Sequence, residues 1–235
     1  MKSFFTALAC AVGSALLIIG LMIISIEIFA FDRAFFASEY EKIGVARRIG
    51  MSGEVLAEVT DNLLDYTSGK RDSLDMKAVI NGESREVFDS REKEHMKDVR
   101  ELYLNAAHAR TFCLAGAAAL FAAAFLISRG AALRILCGSF LCVSGVFVLA
   151  TALLAAYAAA DFSSFWDSFH RVFFTNDLWQ LDPNTEVLIN MVPEQFFSDL
   201  VRNIMICFVS VFAALNIAAF WIRRASVRSA SGRGA

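Results

Sequence analysis

Four stretches of the chain carry no charged residue: they lie between Lys2 and Glu27, Arg110 and Arg129, Arg134 and Asp161, and Arg202 and Arg223. Each approaches or exceeds the roughly 20 residues that a helix needs to cross about 30 Å of hydrocarbon. Only a helix or a closed barrel satisfies the backbone in lipid, and Gly and Ala are tolerated in such helices. The pattern predicts an all-α polytopic membrane protein with four transmembrane helices, over residues 1–31, 110–128, 135–160 and 200–222. Two extracytoplasmic loops at 32–109 and 161–199, a cytoplasmic link at 129–134 and a cytoplasmic tail at 223–235 complete the layout.

Inside the first loop, Val55, Leu56, Val59, Leu63 and Tyr66 recur at helical spacing behind Ser52, a fitting N-cap, and Ser68-Gly69-Lys70 ends the pattern. Ala78-Val79-Ile80 followed by Asn81-Gly82 predicts a small β-hairpin. Asp89 with Glu92 three residues on is a capping box, opening a helix through DSREKEHMKDVRELYLNAAHA. In the second loop Phe162, Phe165, Trp166, Phe169 and Phe173 fall on one face of a helix, suited to the headgroup zone. Asp182-Pro183 has the form of an N-cap with proline at the first helical position, and Pro193 opens the approach to the last span.

Charge orients this layout. The N-terminus, the link and the tail carry Lys2, Arg129, Arg134, Arg223, Arg224, Arg228 and Arg233 and no acid, whereas the 161–199 loop has Arg171 alone against seven acids. Lys/Arg bias in short segments places both termini and the link in the cytoplasm. The chain of 235 residues is 57% hydrophobic, too apolar for an ordinary soluble domain. Its cytoplasmic basic residues are few and adjoin the spans, so no nucleic-acid surface is expected. Residues 1–30 read as an anchor rather than a cleaved signal, since the apolar run is long and no A-x-A site follows it. Leu8-Ala9-Cys10 lacks the preceding apolar run of a lipidation site. All five cysteines (Cys10, Cys113, Cys137, Cys142 and Cys207) fall within the spans and read as small hydrophobes rather than disulfide partners or nucleophiles. The Ser/Arg/Gly tail reads as disordered.

Candidate chemistry is confined to the loops. The spans hold almost no ionisable group, which argues against an ion path. No phosphate-cradling glycine loop and no G-x-S-x-G elbow occurs, and the three histidines show no paired metal-ligand spacing. His95 has Glu92 and Asp98 three residues to either side on its own helix face, and a neighbouring carboxylate fixes an imidazole's tautomer and raises its basicity. A straight helix would hold His95 about 22 Å beyond Arg110 at 1.5 Å per residue; a lipid-directed reaction then calls for a bend near Asn105. His170 directly follows Phe169 at the edge of the aromatic face. His108 sits at the mouth of the second span as a boundary residue. These residues leave three readings open: acid–base chemistry at the outer interface by His95 and His170, a structural or sensory membrane role, and transport.

Two stretches resemble a known family. EKEHMKDVR, residues 92–100, and FHRVFFTNDLWQLDP, residues 169–183, continuing through LINMVPEQFF at 188–197, are similar to the bacterial lipoprotein intramolecular transacylases, four-span proteins of the cytoplasmic membrane. The resemblance covers the whole chain in layout, and its specific part is about forty residues; the insert at 38–88 matches only loosely. It implies that diacylglyceryl-modified lipoproteins are the substrate and membrane lipids the surroundings. One acyl chain would move from the glyceryl sn-2 oxygen to the α-amine of the same cysteine, giving the N-acyl, S-monoacylglyceryl lyso-form, with no cofactor and no metal. His170, or His95, would then be the proton shuttle and the other its partner. Glu92, Glu94 or Asp98 would orient His95. Arg171, Asn176 or Trp179 would face the oxyanion. Asp177 would hold an arginine or the substrate ammonium, and Glu194 is a further candidate near the last span, or a first-turn carboxylate. Phe162, Trp166, Phe169 and Phe173 would line the acyl-chain groove.

Overall fold

The computed structural model describes residues 2–231. Three helical stretches are long and apolar enough to cross a membrane: Lys2–Ala30, Ser90–Ala160 and Glu194–Arg228. The first is α1 (Lys2–Ala30) and the last belongs to α9 (Glu194–Ser231). The middle one is two helices, α5 (Ser90–Ser128) and α6 (Ala132–Ala160), joined by the 3-10 turn Arg129–Ala131. Arg129 there adopts a left-handed φ of 34°. Contacts divide the chain into two compact units, Met1–Ile26 with Ala107–Tyr157 and Ile204–Ala235, and Glu27–Ala106 with Ala158–Asn203.

The first unit is built on the apolar helices. Ile18, Cys137, Phe140, Phe208, Phe212 and Ala219 form its buried cluster, with the Phe208 and Phe212 rings stacked at 5.4 Å. Close approach rests on small residues. A Cβ on Gly13 would stand 2.7 Å from the Phe121 ring, and one on Gly20 2.7 Å from Leu114 Cδ2. The outer faces are apolar as well, for instance Leu126, Val146 and Leu149, as a helix in lipid requires. Helix α9 continues through residue 231, where the sequence predicts a disordered tail; residues 232–235 lie outside the described residues.

The second unit gathers the polar segments. α2 (Arg33–Ile43) is capped by the Asp32 carboxylate on the Ala34 amide and stops at Gly44, φ 73°. The short α3 (Val45–Ile49) ends at Gly50, φ 76°. α4 (Gly53–Thr67) starts at Ser52, whose hydroxyl accepts the Val55 amide. β1 (Lys77–Ile80) and β2 (Glu83–Glu86) pair antiparallel, Ile80 opposite Glu83. Asn81 and Gly82 both have positive φ, the geometry of a tight two-residue hairpin turn. The Asn81 amide donates to Gly50 O, so the hairpin is tied to the end of α3. α5 opens with reciprocal bonds: the Glu92 amide to Asp89 Oδ1 and the Asp89 amide to Glu92 Oε2. It runs unbroken past Asn105.

The second loop supplies α7 (Phe162–Phe173), capped by Asp161 on Ser164, and the short α8 (Val187–Met191). Asp182-Pro183 does not start a helix. Asp182 Oδ1 accepts the Asn184 amide, and its carbonyl accepts the Thr185 and Glu186 amides, closing one turn only; α8 follows from Glu186. Phe196, 1% exposed, plugs the unit's core with its ring 5.4, 4.8 and 6.0 Å from those of Phe35, Phe36 and Tyr40. Burial pushes the Tyr40 hydroxyl up to about 12. Lys42 ties α2 to α9, bonding Glu39 at 3.1 Å and Asp199 at 2.5 Å.

Candidate active site

His95 on α5 and His170 on α7 meet inside the second unit, with ring centroids 6.2 Å apart. Both are buried, at 7% and 8% exposure. The amphipathic pattern of α7 turns Trp166 and Phe169 to the same side as His170. Trp166 stacks on Phe162, Phe169 and Phe197 at 6.0, 5.1 and 4.2 Å. His170 is enclosed by rings: Trp166 edge-on at 4.9 Å, Trp179 stacked at 4.7 Å, and Phe169 and Phe174 at 5.6 Å each. Phe174 also meets His95 edge-on at 5.3 Å.

Hydrogen bonding sets the state of His170. Its Nδ1 lies 2.8 Å from the Trp166 carbonyl oxygen. A carbonyl only accepts, so in the neutral ring Nδ1 carries the hydrogen and Nε2 keeps its lone pair. The site therefore presents a base at Nε2. His95 differs: among the described residues its buried Nδ1 has no hydrogen-bond partner, a polar position left open. Burial lowers the pKa of both rings. For His95, desolvation, the neighbouring His170 and Arg91 outweigh the attraction of Asp98 and bring it down to about 4. For His170, desolvation outweighs the bond to Trp166 O and the charge of Asp167. Burial thus favours the neutral form of both imidazoles.

The carboxylates lie elsewhere than beside the His95 ring nitrogens. Glu92 is 1% exposed. Its Oε2 holds the Asp89 amide at 2.7 Å and its Oε1 the Leu188 amide at 2.5 Å, so it joins α5 to α8 rather than orienting His95. Burial raises its pKa. Glu94 is exposed and bonds Lys97 at 2.5 Å. Asp98 accepts the Asn176 side-chain amide at 2.8 Å and reaches His95 only through its charge. Asn176 is thereby engaged, with its Oδ1 on the Leu178 amide. Asp177 receives an arginine, but at its main-chain oxygen: Arg91 Nη2 donates to it at 2.6 Å. Arg171 and Glu194 are exposed, Glu194 in the first turn of α9. Of the three oxyanion donors that the sequence offers, Trp179 is the one in ring contact with His170. Phe162, Trp166 and Phe169 are half-buried and Phe173 is 51% exposed, with Phe169 and Phe173 rings 4.8 Å apart.

Arg91, Phe174, Glu186 and Phe197 join this cluster although spacing does not single them out. Arg91 and Glu186 (Nε to Oε1 3.8 Å) lie 95 positions apart, whereas Phe174 and Phe197 fall within the 169–183 and 188–197 stretches singled out in the sequence. Among the described residues no group of three or more His, Cys, Asp or Glu converges as a metal site. The arrangement offers a neutral base, a second imidazole with an open nitrogen, and an apolar wall.

A family model described as lipoprotein intramolecular transacylase Lit matches residues 11–197. A search of curated protein sequences returns no match. Among solved structures, the membrane-integral lipoprotein intramolecular transacylase Lit from Bacillus cereus, determined in meso, is similar with a TM-score of 0.74 at 17% identity, covering 95% of this chain and 96% of that one. Two histidine-substituted variants of that protein match with a TM-score of 0.69 each. One has 16% identity over 96% of this chain and 93% of that one; the other has 17% over 95% and 94%. The shared fold is that of a membrane-integral protein, in keeping with the long apolar helices.

Proposed function

The chain belongs to the lipoprotein intramolecular transacylase family and is an acyltransferase, and on that footing we propose that it carries one acyl chain from the sn-2 oxygen of an S-diacylglyceryl cysteine to the α-amine of the same cysteine. An ester becomes an amide, so no nucleotide or acyl-CoA is consumed. The product is the N-acyl, S-monoacylglyceryl lyso-form.

The observation that carries the reading is the bond from His170 Nδ1 to Trp166 O, which leaves Nε2 as a base within a cage of rings. The neutral amine attacks the ester carbonyl; the C–N bond forms and the carbonyl electrons move to oxygen. His170 Nε2 takes the proton that nitrogen sheds, and returns it to the glyceryl oxygen as the C–O bond breaks. His95 lies beside it, its free Nδ1 turned to the substrate amine or ester. The Trp179 indole N–H faces the oxyanion. Both reactants sit on one molecule, where effective molarities on the order of 10⁵ M or more are known. No covalent enzyme intermediate is needed. The Phe162, Trp166, Phe169 and Phe173 face holds the acyl chains.

We place four spans in the bilayer, α5 and α6 each contributing one to either side of the Arg129–Ala131 turn. The acid-free termini and link face the cytoplasm by the Lys/Arg rule, and both histidines face outward, where lipoproteins are modified.

Transfer within one molecule changes no mass, so the test is tandem mass spectrometry that locates the chain on nitrogen or oxygen. A diacylglyceryl lipopeptide is incubated with the wild type, His170→Ala and His95→Ala. Loss of a general base costs about 10²–10⁴-fold, and we expect that loss for His170→Ala. Undiminished N-acyl product from both variants would overturn the mechanism. No product from the wild type would overturn the reaction.

A further inference from the structure

Residues 174–186, between α7 and α8, contain no helix or strand, yet they hold Trp179 flat on His170. Three residues of α5 account for this. Arg91, His95 and Asp98 recur at i, i+4 and i+7, one helix face, and the outer two grip the segment on either side of the histidine. Arg91 Nη2 donates to Asp177 O at 2.6 Å. That same oxygen accepts the Gln180 amide at 3.2 Å, closing a four-residue turn in which Trp179 is the third residue. Asn176 precedes the turn. Its Oδ1 accepts the Leu178 amide and its Nδ2 donates to Asp98. Arg91 also reaches Glu186 at 3.8 Å, and the other oxygen of Glu186 accepts the Asp182 amide. The arginine thus bridges both ends of the segment.

We propose that Arg91 and Asp98 form a two-point latch that fixes the 176–180 turn so that Trp179 covers His170, making Arg91 a positioning residue for acyl transfer. The role in transfer rests on the transacylase reading. Arg91 touches neither imidazole through a hydrogen bond; its charge bears on His95, and its grip on the Asp177 carbonyl reaches His170 through Trp179. A planar guanidinium suits this place, because it can meet a carbonyl and a carboxylate at once while a lysine ammonium reaches as a single point. The latched indole covers one face of the His170 ring and, on the transacylase reading, holds its N–H ready for the oxyanion.

The test combines a structural and a kinetic readout on the full-length protein in lipid nanodiscs. With 5-fluorotryptophan at the three tryptophans, the Trp179 fluorine signal is assigned by its loss in Trp179→Phe. In Arg91→Ala that signal is expected to move toward the value of free 5-fluorotryptophan, the Trp221 signal staying in place as a check on folding; Arg91→Lys should move it part-way. An unmoved Trp179 signal overturns the latch. In the transfer assay Arg91→Ala is expected to lower kcat by about 10²-fold with KM changed little, the scale of misplacing a group by ~1 Å. Added to Trp179→Ala, the same substitution should cost less than about twofold more, because coupled residues are not additive. Fully additive losses overturn the positioning role. If the wild type makes no N-acyl product the transfer reading falls, and the role in transfer with it, while the fluorine signal still decides whether Arg91 holds Trp179.

Discussion

Replacing Glu92 by alanine separates a structural carboxylate from a catalytic one. The side chain is almost fully enclosed and accepts two backbone amides, Asp89 at the start of α5 and Leu188 in α8. Loss of the cap bond costs about 0.5–2 kcal/mol. The Leu188 amide is buried, and stranding such a donor costs about 1–3 kcal/mol. The sum, about 1.5–5 kcal/mol, corresponds to a fall of roughly 3–20 °C in Tm for a chain of this size. Glu92→Gln keeps the shape and one acceptor oxygen but sets an NH₂ against the second amide, so it should fall between wild type and alanine. The assay is thermal unfolding of the detergent-solubilised protein alongside transfer activity measured well below the melt. Joining α5 to α8 predicts large melting shifts and a pH–rate profile that keeps its wild-type midpoint. An unchanged melt with a displaced midpoint would show that Glu92 acts on His95, and would refute this account.

Three further outcomes follow from the same geometry. With burial lowering His170 below its ordinary 6.5, kcat for transfer should stay flat through neutral pH and fall only as pH drops below about 6.5; a midpoint above 7 would contradict a desolvated base, and Trp179→Ala should raise the midpoint. His95 is depressed from 6.5 to about 4, so the unfolded chain takes up its proton first. The stability it contributes is whole above pH 6.5 and is lost as pH falls toward 4, about 3 kcal/mol in all at 1.36 kcal/mol per unit; His95→Phe should flatten the acid fall in Tm, and an identical fall would refute the assignment. Gly50→Ala should melt lower than Gly44→Ala. Both positions are left-handed, at 76° and 73°, costing alanine roughly 1–2 kcal/mol, but a Cβ at Gly50 collides with the Asn81 side-chain oxygen while Gly44 has open space; equal melts would show that the collision relaxes freely.

The long apolar helices were legible because lipid imposes a one-dimensional rule: about 20 uncharged residues suffice, whatever they pack against. Helix starts were legible for a related reason. The Ser52 and Asp89–Glu92 caps are bonds between residues three apart, written in local order. Asp182-Pro183 shows the limit of that logic. The dipeptide does make the bonds of a helix start, to the Asn184, Thr185 and Glu186 amides, but the chain leaves after one turn and α8 begins anew at Val187. The candidate site was legible only in its residue types. Glu92 sits on the right helix face to orient His95, but Leu188, 96 positions away, claims its second oxygen. Asn176 and Asp98, 78 positions apart, claim one another. Arg91 gives no sign of its role, since a lone exposed arginine in a charged helix reads as solvated surface. Such pairings are decided by tertiary approach, which spacing does not encode.

An imidazole with a lowered pKa looks at first like a poor base for this reaction. It would be one if it had to strip a free α-ammonium, whose pKa lies near 8. The proposed order of events sets it a different task. The amine enters an apolar pocket neutral, because desolvation disfavours the ammonium as it disfavours the imidazolium. After attack the nitrogen bears positive charge beside an oxyanion and gives up its proton readily, even to a weak base. The same weakness then helps, since the imidazolium so formed is a strong acid toward the departing glyceryl oxygen. Dryness also settles a competition. A wet imidazole next to an ester would activate water and release a free fatty acid. Trp166, Trp179, Phe169 and Phe174 crowd the His170 ring at 4.7–5.6 Å, which leaves the tethered amine as the nucleophile within reach. On the proposed mechanism, the aromatic cage that depresses the base is therefore also what would direct the acyl chain to nitrogen instead of water.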